Sequence, residues 1–150
     1  MTGQGAGATG ASWPSASPPP ARPVFTWELH DLAELPQLRS ELRRVTEADA
    51  RAADPTAADL RDQLVLAFDE MASNALRHGG GDVRAEFQLT EDSYLIEVSD
   101  QAAMAPPSPA VGRDPSEGGL GLYLIAELAS RHGWYVRGGH KHVWALLPRP

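Results

Sequence analysis

The sequence predicts an α+β fold of two layers, with helices on one face of a mixed, mainly antiparallel sheet. Two observations carry this. Short runs rich in β-branched and aromatic residues come in pairs separated by turn residues: 83–89 with 94–99, and 134–137 with 142–147. Longer stretches repeat apolar residues at helical spacing and leave one polar face, so each helix must cover something. Paired strands below and one-sided helices above give a sandwich of two layers.

Met1 to Arg22 is Gly, Ala, Ser and Pro, closing on Pro18-Pro19-Pro20. Such a segment buries too little apolar surface to offset its ordering entropy. It is expected to be a disordered tail, with 23–150 as one folded domain. Trp13 is the exception, and a lone aromatic in a tail is expected to be idle. Val24–Leu29 reads as a strand. The next helix carries Leu35, Leu38, Leu42 and Val45 inward, and 48–55 is a polar break. A long helix follows to His78, with Leu60, Leu64, Phe68, Met71, Ala72 and Ala75 at helical spacing. Thr56 is its expected N-cap, with Asp59 in the capping-box position. Gly79-Gly80-Gly81 ends it. Val83–Leu89 and Tyr94–Ser99 pair across Thr90-Glu91-Asp92-Ser93. Gln101 to Gly118 holds four prolines and no period, so it is expected to be a long loop, of the kind that is functional or disordered. Gly119 to His132 is a helix with Leu120, Leu124, Ile125 and Leu128 inward. A hairpin around Gly138-Gly139 closes the sheet.

Composition removes several function classes. The formal net charge is −7 and Lys141 is the sole lysine. That argues against nucleic acid, whose binding needs many Lys/Arg–phosphate contacts, and against anionic membrane surfaces. The absence of cysteine removes disulfides, thiol nucleophiles and thiolate metal sites. No apolar run approaches the ~18 residues of a membrane helix, and the start lacks the pattern of a secretory signal. A cytoplasmic location fits. The histidines show no metal-ligand spacing, and no serine sits at a Gly-x-Ser-x-Gly elbow.

Three elements carry chemistry. Glu70 and Asn74 are four apart and project from one helix face, among the small residues Ala72, Ser73 and Ala75. A carboxylate and an amide oxygen so placed can hold a hydrated Mg²⁺ and a water or hydroxyl beside it. Asp100 ends a strand where it opens into the long loop, and can accept a hydrogen bond from an exocyclic amine such as that of adenine. Gly118-Gly119-Leu120-Gly121 sits where that loop enters a helix, exposing backbone amides suited to phosphate.

Taken in order, these elements resemble the GHKL (Bergerat-fold) ATPases. Within them the sequence is most similar to the small anti-sigma-factor serine/threonine kinases common in actinobacteria. The resemblance spans about Val24 to Pro148. Asp69-Glu70-Met71-Ala72-Ser73-Asn74-Ala75-Leu76-Arg77-His78-Gly79, Gly118 to Ile125 and the ending Val143-Trp144-Ala145-Leu146-Leu147-Pro148 carry it. It implies ATP and Mg²⁺ as cofactors. It implies Glu70 as general base, Asn74 as Mg²⁺ ligand, Asp100 as the adenine contact, and Gly118, Gly119, Leu120 and Gly121 as a phosphate cradle. Arg77 and His78 would flank the site, and Arg113 would reach a phosphate from the lid. The implied activity is phosphorylation of a serine or threonine on an anti-anti-sigma (STAS-type) factor, with sequestration of a sigma factor, often as a homodimer. The alternative is a catalytically weak module of the same fold that sequesters a regulatory protein. Two departures from the family pattern stand out. Ala102 and Met104 replace the glycines that follow the aspartate, and His142 replaces a threonine expected near the nucleotide.

Overall fold

The computed structural model describes residues 13–49, 53–79, 81–103 and 120–150. In chain order these form β1 (Arg22–Leu29), α1 (Leu35–Glu47), α2 (Ala57–Asn74), β2 (Val83–Leu89), β3 (Ser93–Asp100), α3 (Leu120–Leu128), β4 (Arg131–Arg137) and β5 (His140–Pro148). The sheet order is β1-β2-β3-β5-β4, and every neighbouring pair is antiparallel. Among the described residues the one parallel feature is a bridge between Ser15 and Trp134.

Alternation decides which face each strand residue takes. Phe87, Ile96, Val98, Val143, Ala145 and Leu147 point to the helix side and pack against Leu38, Leu42, Leu64, Phe68 and Ile125. Trp27 meets Phe68 edge to face at 5.1 Å and donates its indole N–H to Glu41 Oε1 at 2.6 Å. This joins β1 to both long helices.

Several helix ends differ from the sequence reading. The short 3₁₀ turn before α1 carries a true capping box: Asp31 accepts from Ala33 N while Glu34 accepts from His30 N and Asp31 N. At α2 the expected box does not form. Thr56 is helical and makes no side-chain cap; Asp54 Oδ1 instead accepts from Thr56 N and Oγ1. An aspartate two residues upstream competes for that amide through a local turn. Helix α3 stops at Leu128 and not at His132, because Ser130 N turns to Leu146 O and β4 starts at Arg131. Its inner face also differs: Leu122 and Ile125 are buried, whereas Leu124 is exposed.

The expected disorder of 1–22 fails for the described part. Trp13 is 4 % exposed and belongs to the core. Residues 14–16 pair with the free edge of β4, through Ala16 N to Trp134 O and Trp134 N to Pro14 O. The arm then crosses the outer face of the sheet. Ala16 and Ala21 pack on Leu95, Trp144 and Leu146, and Trp144 Nε1 donates to Ala16 O at 2.8 Å. A proline-rich extended segment needs few donors of its own, so it can strap a sheet face at low entropic cost.

Candidate functional site

Glu70 lies in the last turns of α2, half-buried, and Asn74 is that helix's final residue. The helix then widens into a π-type turn, Ala75–Gly79, which carries Arg77 and His78 exposed. Such widened turns re-aim a helix end and recur at functional sites. Arg39 of α1 holds Asp69 Oδ1 at 2.6 Å, fixing the neighbour of Glu70. Burial and then the Asp69 charge raise the Glu70 pKa above the ordinary glutamate value, and Arg77 partly offsets them. The site therefore holds a carboxylate with a raised affinity for protons.

Two glycines bring the elements together. A side chain at Gly79 would run into the Asp100 carboxylate, so the π turn seats directly on the end of β3. A side chain at Gly121 would run into the Glu70 carboxylate, so the first turn of α3 seats on α2. Asp100 is 3 % exposed, and its Oδ1 accepts from Ala102 N at 2.8 Å. Thus α2 sets Glu70 against Gly121 of α3, and the turn that follows Asn74 sets Gly79 against Asp100 of β3. Gly118, Gly119, Met104 and Arg113 lie outside the described residues, as does the side chain of Leu120.

The structure corrects the reading of His142. That residue faces away from the helices. Its Nδ1 lies 2.8 Å from Glu97 Oε2, which also accepts from Tyr135 Oη at 2.6 Å. Its ring stacks on Tyr135 at 4.6 Å and 6°. Burial and the Glu97 hydrogen bond push the Tyr135 hydroxyl pKa up. The helix-side residue of that strand is Lys141, directly opposite Asp100 in the ladder, with Nζ 3.8 Å from Asp100 Oδ2. Sequence reasoning missed Lys141. The signal was present: alternation backwards from Leu147, Ala145 and Val143 puts position 141 on the helix side and 142 outside.

Among the described residues no cluster of three His, Asp or Glu side chains could cage a metal ion alone. Among the described residues no helix is long and apolar enough to cross a membrane.

Comparison with known proteins agrees with this geometry. Residues 31–146 match the histidine kinase-like ATPase domain. Among solved structures, a chain of the SiaB–SiaC complex from Pseudomonas aeruginosa aligns with a TM-score of 0.61 at 15 % identity, covering 84 % of this chain and 90 % of that one. Among curated proteins nothing matches the sequence.

Proposed function

This chain belongs to the histidine kinase-like ATPase (GHKL) family, and from that premise we propose that it is an ATP- and Mg²⁺-dependent serine/threonine protein kinase of the anti-sigma-factor type. The observation that carries the reading is the convergence of Glu70 under Gly121 with Asp100 under Gly79. It supports reading Glu70 as a proton-seeking carboxylate and Asp100 as a base-binding carboxylate of one site.

The donor set suits the cofactor. Asn74 offers a hard amide oxygen to Mg²⁺, and Asp100 offers an acceptor to the adenine amine. Bound MgATP supplies the transferable phosphoryl group with part of its charge neutralised. The protein's own share is positioning and proton transfer. Glu70 takes the proton of the acceptor hydroxyl, and burial beside Asp69 strengthens it as a base. Arg77 and His78 flank the site at its exposed rim. Gly121 in the first turn of α3 would cradle the phosphates, with Gly118, Gly119 and Leu120 before it in the sequence.

The acceptor is a serine or threonine on a STAS-type anti-anti-sigma partner, and a sigma factor is the sequestered target, held by a homodimer in the cytoplasm. The solved structural neighbour is a chain of a two-protein complex, which supports a protein partner. A second reading, a catalytically weak module that sequesters a regulator, is favoured by one observation: Asp100 is already engaged by Ala102 N–H and Lys141.

Titration calorimetry with ATP, with and without Mg²⁺, tests the site. Labelled phosphate transfer to serine-bearing partners then tests the kinase. Magnesium-dependent binding and transfer that vanishes in Glu70→Gln support it. Partner capture that needs no ATP and survives Asn74→Ala, with no transfer, selects the binding module.

A further inference from the structure

We propose that His140 and His142, on the outer face of the sheet, form a chelating pair for a divalent transition metal ion of the zinc, nickel or copper class. The inference does not rest on the nucleotide-site reading, which concerns the other face.

The two histidines flank the helix-side Lys141 at the start of β5, so both side chains rise from the outer face. At strand spacing their Cα atoms lie about 7 Å apart. Gly138 and Gly139, both at positive φ, make the tight hairpin turn beside them. The spacing alone singles out nothing. The hydrogen bonds do. His142 Nδ1 lies 2.8 Å from Glu97 Oε2, and His140 Nδ1 lies 3.2 Å from the Gly138 carbonyl oxygen. A carboxylate and a carbonyl can only accept, so each Nδ1 carries the proton. In each neutral ring the free lone pair is therefore on Nε2.

Those lone pairs are also aimed. Glu97 stands opposite Trp144 in the ladder, on the far side of His142 from His140. Gly138 precedes His140, on its far side from His142. Both Nδ1 atoms thus turn away from the pair, and ring geometry sets each Nε2 on the flank toward the other histidine. The His142 ring is held so by its stack on Tyr135 at 4.6 Å and 6°, and Tyr135 Oη steadies Glu97 at 2.6 Å. Metal sites orient an imidazole and strengthen it as a donor by giving its second N–H to a carboxylate or a backbone carbonyl. This pair has one of each.

Two imidazoles leave the other positions around the ion to water. Imidazole suits zinc, nickel and copper, whereas Mg²⁺ prefers oxygen ligands. Arg137 faces His140 across the hairpin and lies over the Tyr135 ring at 5.2 Å, a cation at the edge of the site. Glu97, and Glu86 directly opposite it, offset that charge.

The test is calorimetric titration of the untagged full chain with ZnCl₂ and NiCl₂ in excess MgCl₂, with nitrogen NMR of the histidine rings. Zn²⁺ should bind with a Kd below about 100 μM. The Nε2 signals of His140 and His142 should move on binding. His140 belongs to no core cluster, so His140→Gln should keep the fold and weaken binding about tenfold or more. Glu97→Gln should weaken it about threefold or more through the orienting bond. His30→Gln, on the opposite edge of the sheet, should leave it unchanged. A wild type with no binding below that limit overturns the inference. So does an unchanged Kd in a folded His140→Gln, a loss in His30→Gln, or coordination through Nδ1.

Discussion

Gly121 is where it is because of Glu70. The first turn of α3 lies so close to the end of α2 that any side chain at 121 would overlap the Glu70 carboxylate. A glycine that reads in the sequence as part of a phosphate cradle is thus also the seat of the Glu70 side chain.

Gly121→Ala separates position from stability. The group it meets is the far end of a flexible side chain, which can swing aside, and alanine gains up to about 1 kcal/mol of helix propensity over glycine. The melting temperature should hold or rise. Phosphate transfer should fall on the order of a hundredfold, because Glu70 is pushed off its position. Unchanged transfer with an intact fold would show that the seat does not matter.

Glu70 is held at a cost that pH exposes. Its pKa is raised in the fold, so the native state binds this proton more readily than the unfolded chain does. Stability from this group therefore falls as pH rises from the unfolded value through the folded one, and the penalty is fully present at neutral pH. Glu70→Gln should raise the neutral-pH melting temperature on the order of a few degrees while abolishing transfer. The gain should disappear as the pH drops to about 4. Melting curves of both proteins across that range check it, and a destabilised variant at neutral pH would contradict the sign.

Trp13 anchors the arm. It meets His132 edge on at 4.7 Å, and its buried indole N–H has no hydrogen-bond partner among the described residues. Trp13→Ala should cost about 3 kcal/mol in denaturant unfolding, as for a core aromatic. Trp13→Phe keeps most of the packing and removes the unsatisfied donor, so it should fall within about 1 kcal/mol of the wild type. Equal losses in both variants would mean that the indole finds a partner in solution.

The legible parts of this chain were those fixed by short-range pattern. Strand β2 runs from Val83 to Leu89 as its alternation requires, and β3 adds only Ser93 and Asp100 to the reading. Glu70, Asn74 and Asp100 were named by spacing and by strand position, and the fold sets Glu70 against Gly121 and Asp100 against Gly79. What escaped is built from distant pieces. The burial of Trp13 depends on residues 14–16 pairing with β4, which no local composition announces. The Asp100–Lys141 pair depends on the register of β3 with β5. There the family pattern drew the eye to position 142, while the two-residue period pointed to 141. In α3 the short helix offers too few turns to fix its face, and Leu122 took the inward place assigned to Leu124.

The contact between Trp13 and His132 should also make the arm sensitive to acid. Burial alone lowers the His132 pKa, so the fold favours the neutral ring. Below the ordinary histidine value of about 6.5 the unfolded chain takes up a proton that the native state resists, and stability falls with pH until the lowered folded value is passed. Wild-type melting temperature should therefore decline between about pH 7 and pH 5. Other groups contribute in the same range, so the informative quantity is the difference from His132→Phe, which keeps an aromatic edge for Trp13 and cannot titrate. That variant should show a shallower decline. It should also keep the tryptophan emission of the buried arm at pH 5, where the wild type shifts red. Parallel slopes in the two proteins would place the acid sensitivity elsewhere.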